Sequence, residues 1–120
     1  MDKVTSDLMI CYYRLSSEDG DVARGNATES FSISAQRLCV QNFLTSRPDL
    51  VGTVEEIADD GYTGTNMNRP GMQRLLSLVK SGSVKAVIVR DLSRFSRNFL
   101  EGGHYLEFVF PAYGVRFISI

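Results

Sequence analysis

Arginines and hydroxyls recur together at three places in this chain. Arg14 and Ser16 stand two apart in Tyr12-Tyr13-Arg14-Leu15-Ser16-Ser17. Thr63 and Arg69 share the stretch that begins Asp59-Asp60-Gly61-Tyr62. Arg90-Asp91-Leu92-Ser93-Arg94-Phe95-Ser96-Arg97 carries three more arginines among two serines. A guanidinium stays charged and offers forked donors that match phosphate oxygens. A hydroxyl set among such groups is a candidate nucleophile at phosphorus, with the arginines offsetting the charge that develops in the transition state. The other common ways of arming a hydroxyl are poorly provided. The single histidine, His104, falls in a predicted helix, so a Ser-His-Asp relay is not expected. Glu18, Asp19, Asp21, Asp59 and Asp60 lack histidine partners and fall in polar stretches expected to be solvated, so neither a metal site nor a cofactor is expected.

The elements that must position these residues alternate in type. Strand-like runs cover Leu8 to Leu15, Val54 to Ala58, Ala86 to Val89 and Val115 to Ile120. Their continuous apolar, β-branched character is that of parallel strands buried on both faces. A helix is predicted over Ser34 to Arg47, with Gln36, Cys39, Val40 and Phe43 on one stripe and Pro48 beyond its end. A second starts at Pro70, carries Met72, Leu75, Leu76 and Val79 inward, and is closed by Gly82. Asn98, with Glu101 three residues on, opens a third, which Pro111 is expected to end. Polar stretches at residues 17–33 and 59–69 read as loops, the first long enough to suggest function. The order βαβαβαβ predicts an α/β three-layer sandwich with a mainly parallel sheet and flavodoxin-like winding. In such a sheet the carboxyl ends of the strands bind ligands, and all three arginine–hydroxyl groups fall there.

With 120 residues, 43% of them apolar, the chain is one domain or part of one. No apolar run approaches the roughly 20 residues of a membrane span, and Met1 to Asp7 has no signal-peptide pattern; residues 1–7 read as a disordered lead. Cys11 and Cys39 fall in a predicted strand and helix, as small buried hydrophobes compatible with a reducing cytoplasm. The net charge of -1 is unlike that of most nucleic-acid-binding modules.

Taken in order, Tyr12-x-Arg14-x-Ser16, Gln36, Asp60-Gly-x-Thr63-Gly, Arg69-Pro-Gly-Met and Asp91-Leu-Ser-Arg94-Phe-Ser-Arg97-Asn resemble the catalytic domain of the serine recombinases (the resolvase/invertase family). The closing Gly114-Val-Arg-Phe-Ile is similar to the family's fourth strand. The resemblance covers about residues 9 to 120, and the ordered set is far more specific than any one element. It implies a site-specific DNA recombinase in which the Ser16 hydroxyl attacks a phosphodiester of double-stranded DNA, giving a 5′-phosphoserine and a free 3′-hydroxyl. Arg14, Arg94 and Arg97 would bind the phosphate, with Gln36, Asp60, Thr63, Arg69 and Ser93 in support. No metal or ATP is implied. The implied partners are DNA and further copies of the protein, as dimers that join into tetramers, in the bacterial cytoplasm at the nucleoid.

Three features depart from the small resolvases. Ser93 stands where they have an aspartate. The loop after Ser16 is longer, as in the large serine recombinases and transposases of mobile elements. Residues 8–120 also read as a catalytic domain lacking the long helix and DNA-binding region that follow it in the family, so residues 1–120 alone are expected to recombine nothing. Bland alternatives exist residue by residue: Ser16 ending a strand, Arg94 and Arg97 as solvated charge, Arg69 positioning a loop, Gln36 making a structural hydrogen bond, Asp60 as a turn residue, and Tyr12 as core. The competing function is a non-catalytic flavodoxin-like module, phosphate-binding or signalling. A receiver-type version of it would need acidic groups where this chain has Arg14 and Ser16. A metal-dependent nuclease is disfavoured by the ligand spacing.

Overall fold

β1, Leu8–Leu15, suits an interior strand because it carries no charged side chain before Arg14, and its residues from Met9 onward are buried. The computed structural model describes residues 7–15, 31–63 and 65–120. In it β1 lies between β2, Thr53–Asp60, and β3, Val84–Val89, with β4, Arg116–Ser119, beyond β3. The order is β2-β1-β3-β4, and every pairing is parallel. Parallel neighbours need crossover connections, and helices supply them. α1, Phe31–Thr45, joins β1 to β2; α2, Pro70–Lys80, joins β2 to β3.

Alternation along β1 divides the core. Ile10 and Tyr12 face one layer, with Ile57, Met72, Leu75, Val79, Phe95 and Phe110. Cys11, Tyr13 and Leu15 face the other, with Ile33 and Val40 of α1. The sheet therefore sits between two helical layers, which is the three-layer α/β sandwich expected from the sequence. The same alternation sends Arg14, in step with Ile10 and Tyr12, toward the α2 side. Among the described residues no helix is long and apolar enough to cross a membrane.

Several boundaries differ from the sequence expectations, each for a local reason. α1 is described from Phe31 rather than Ser34, and Ile33 is buried on its inner face. β2 continues through Asp59 and Asp60, two carboxylates that had read as loop. A short helix not expected from the sequence, α3, Leu92–Phe95, follows β3, where the stretch is too short for periodicity to show. α4, Phe99–His104, is capped as foreseen: Asn98 Oδ1 accepts from Glu101 N–H at 3.0 Å. Pro111 does not end this helix. The chain widens into a π-helical turn, Tyr105–Val109, in which Phe110 N–H returns to the Tyr105 carbonyl, and then closes with α5, Phe110–Ala112. Pro111 has no N–H to give, and its ring would crowd the carbonyl four residues back; the wider turn relieves both. β4 is shorter than the run Val115 to Ile120. Of the lead read as disordered, residues 1–6 lie outside the described residues. Asp7 is held: its carbonyl accepts from Thr53 N–H at 3.0 Å and its carboxylate from Thr53 Oγ1 at 3.0 Å.

Phe95 joins the arginine-rich turn to the core. It is fully buried, with its ring 5.5 Å from Phe110 and 5.2 Å from Phe117. Phe95→Ala is expected to cost about 3–5 kcal/mol, read as the change in unfolding free energy in urea; a cost near zero would mean the turn is not anchored this way.

Candidate active site

The carboxyl ends of β1 and β3 lie side by side, and the turn that follows β3 closes over β1. Arg14 is fully buried there. Its Nε donates to the Arg94 carbonyl at 3.3 Å, Nη2 to the Ser93 carbonyl at 2.8 Å, and Nη1 to the Tyr62 carbonyl at 3.0 Å. One guanidinium thus fastens the loop after β2 and the turn after β3 to the central strand. Burial, together with the nearby charges of Arg97 and Arg69, lowers the Arg14 pKa to about 10, so the group is still cationic at neutral pH.

The main chain of Arg14 is held from the opposite helical layer. Gln36 of α1, also fully buried, accepts from Arg14 N–H at 3.2 Å and donates to the Arg14 carbonyl at 3.0 Å. The β1–β3 ladder ends at the Cys11 and Ile88 pair, and the side-chain amide takes up main-chain groups beyond that point. Arg94 Nη1 adds a donor to the same carbonyl at 3.2 Å.

Arg69 is a second buried guanidinium, 1% exposed. It donates to the Asn66 carbonyl at 3.1 Å, the Arg94 carbonyl at 3.2 Å, the Phe95 carbonyl at 2.5 Å and the Tyr12 hydroxyl at 2.9 Å. Tyr12 donates in turn to Asp59 Oδ2 at 2.6 Å. Asp59 completes the chain by accepting from the N–H groups of Gly71 and Met72, at 2.7 and 2.9 Å, in the first turn of α2. A Cβ on Gly71 would stand 2.8 Å from Asp59 Oδ1, so glycine is what allows the carboxylate to approach. Burial, offset in part by Arg69 and reinforced by Asp59, pushes the Tyr12 hydroxyl far above the ordinary phenol range, so it remains a donor.

Two arginines of the turn reach solvent, although Arg94 also bonds inward to the Arg14 carbonyl. Arg97 is exposed and the Arg94 side chain is 15% exposed, with Arg94 Nε 3.5 Å from Asp91 Oδ2. Ser93 Oγ donates to the other Asp91 oxygen. Burial opposes ionisation of Asp91, but the Ser93 hydroxyl, Arg94 and Arg90 outweigh it and hold the carboxyl below its usual range.

Of the residues singled out from sequence, the fold brings Arg14, Gln36, Arg69, Ser93 and Arg94 together. Ser16 lies outside the described residues. Thr63 is half-buried and pairs with Thr65 through their hydroxyls at 3.1 Å. Asp60 ends β2 on the alternation opposite to Arg14, and Asp59 occupies the inward position. Asp59, read from sequence as solvated, is 2% exposed. Tyr12 is in the core, as expected, but as a member of a polar chain. Arg14 and Arg69 are spent on carbonyls, which is the positioning alternative for Arg69.

These features define a parallel α/β domain with an arginine-supported turn over the end of its central strand. The family model for the resolvase N-terminal domain matches residues 9–120, and the chain belongs to that family, whose members are the catalytic domains of serine recombinases. No curated protein matches the chain at a comparable level. Among solved structures, the N-terminal catalytic domain of TP901-1 integrase is 25% identical with a TM-score of 0.70, over 93% of this chain and 75% of that one. The C-terminal catalytic domain of ISC1926 TnpA, an IS607-like serine recombinase, is 26% identical with a TM-score of 0.72, over 93% and 66%. The first open reading frame of transposon ISC1904 from Sulfolobus solfataricus P2 is 25% identical with a TM-score of 0.61, over 92% and 65%. The chain thus spans between 65% and 75% of these relatives. None of these matches favours a phosphate-binding or signalling module.

Gln36→Leu would leave the Arg14 N–H without its acceptor, at an expected cost of about 1–3 kcal/mol. Urea unfolding measures it, and an unchanged midpoint would show that the amide does not hold the strand end.

Proposed function

We propose that this domain belongs to a site-specific DNA recombinase that cuts and rejoins double-stranded DNA through Ser16. The observation that carries the reading is the turn at residues 91–97. It is fastened by two buried guanidiniums and holds Arg94 and Arg97 at the carboxyl end of β1, the strand whose last residue precedes Ser16 in the chain. In the reaction Ser16 Oγ loses its proton and forms a bond to phosphorus, the bond to the 3′-oxygen breaks, and that oxygen takes up a proton. The products are a 5′-phosphoserine ester and a free 3′-hydroxyl, and the ester keeps the bond energy for rejoining, so neither ATP nor a metal is needed.

Arg94 and Arg97 hold the non-bridging phosphate oxygens in this reading, where forked donors match the charge that grows in the transition state. Arg14 lies behind them as fixed positive charge and meets the phosphate itself only if the turn releases its carbonyls. Gln36 and Arg69 hold the frame. Thr63, Asp60 and Ser93 border it, and Asp91, bonded to Ser93, supplies a carboxylate beside the position where small resolvases carry one.

Self-association belongs to the same proposal. Phe99, Leu100 and Phe108 are 90%, 82% and 64% exposed, and they line a cleft of about 480 Å³ that extends to Arg97. A contiguous exposed apolar surface of this kind marks an interaction site, and a second copy docked there would bear on the arginine turn. The likeness to transposon and integrase proteins supports a role in moving a genetic element.

The test uses the full-length protein on a nicked recombination site that traps cleavage, in the presence of chelator. A covalent protein–DNA adduct that maps to Ser16 and vanishes in Ser16→Ala is expected; binding without an adduct would refute the reaction. Arg94→Lys keeps the charge and loses the fork, and is expected to slow adduct formation by about a hundredfold or more. Near-normal cleavage by that variant would remove Arg94 from the phosphate site.

A further inference from the structure

We infer that Asp59 and Tyr12 are positioning residues of the recombination reaction, setting the arginine turn through Arg69. This rests on the recombinase reading above and adds to it two residues that touch neither Ser16 nor, in that reading, the phosphate. The path is continuous, and its three side chains are buried. Asp59 is fixed by two N–H groups of α2, Tyr12 donates to Asp59 at 2.6 Å, and Arg69 donates to Tyr12 at 2.9 Å. Arg69 then ends on the Arg94 and Phe95 carbonyls at 3.2 and 2.5 Å. Exposure is 0% for Tyr12, 2% for Asp59 and 1% for Arg69.

Chemistry dictates the order of this chain. Arg69 can only donate, and Asp59, whose two oxygens take the Gly71 and Met72 N–H groups, is the acceptor at the other end. The hydroxyl between them must accept from one and donate to the other, so Tyr12 cannot be replaced by phenylalanine without leaving a buried donor and a buried acceptor each short of a partner. The Arg69 ring contact agrees with this placement: its guanidinium carbon lies 5.7 Å from the centre of the Tyr12 ring. The carbonyls at the far end belong to Arg94, a proposed phosphate ligand, and to Phe95, two residues before Arg97. A shift of Arg69 therefore moves the main chain that carries both phosphate-binding side chains. Arg14 holds the same turn from the other side through the Ser93 and Arg94 carbonyls, so loss of the Tyr12 hydroxyl should misplace the turn rather than release it.

Single-turnover cleavage of the nicked site by the full-length protein tests this, with Tyr12→Phe and Asp59→Asn compared against the unmutated protein and with DNA affinity and melting temperature measured alongside. The expected result is a cleavage rate lowered by about tenfold to a hundredfold while the Kd for site DNA stays within about twofold. A role confined to holding the fold would lower the melting temperature and the active fraction but leave the rate constant of the folded fraction unchanged. Cleavage by Tyr12→Phe at the unmutated rate overturns the inference and leaves the recombinase reading standing. No cleavage by the unmutated protein overturns both. If neither variant folds, the pair is a folding element and the positioning role is likewise rejected.

Discussion

Two guanidiniums under one turn are the constraint on which this domain depends. Burying a cation is costly unless its donors find acceptors, and Arg14 and Arg69 find theirs in the main chain of residues 93–95, 62 and 66. Main-chain carbonyls carry no net charge to cancel, so Arg14 keeps its positive charge in the interior while fixing the loops it bonds, and Arg69 meets the Asp59 carboxylate only across the Tyr12 hydroxyl. Carboxylate partners would have held the loops equally well and neutralised the field. For a site that must stabilise a phosphoryl transition state, retained charge behind a rigid turn is the useful outcome.

The rest of the architecture serves that arrangement. β1 brings Tyr12 and Arg14 to the same face, Gln36 finishes the strand end from the opposite layer, and Phe95 ties the turn to the aromatic cluster of the last helical segment. α2 contributes its N-terminal N–H groups to Asp59, so the polar chain begins and ends on main-chain atoms. Its two ends are therefore set by secondary structure rather than by mobile side chains.

Much of this was legible in the sequence. Four parallel strands, the Pro70 helix start, the Asn98 cap and the ordered arginine and hydroxyl motifs all showed, because buried strands, helix caps and phosphate-binding groups have strong compositional signatures. Asp59 was missed for a specific reason: ending β2 at Ala58 stopped the two-residue alternation that would have carried inward from Ile57 to Asp59. The glycine of Arg69-Pro70-Gly71 was a second signal, since it marks a close approach whose partner cannot be named without the fold. Tyr12 was read as apolar core because nothing local reveals which buried hydroxyl has a polar neighbour 47 or 57 residues away. The π-helical turn before Pro111 was invisible because a proline inside a helix and one beyond its end look alike in sequence.

The most direct measurement is hydrogen exchange of the arginine Nε–H groups, assigned by nuclear magnetic resonance in the folded protein. If Arg14 and Arg69 hold the turn as described, their Nε–H signals persist with protection close to that of the β1 amides. Exchange of either at the rate of an exposed arginine would contradict the account, because a guanidinium open to water cannot be the fixed point from which the turn is hung.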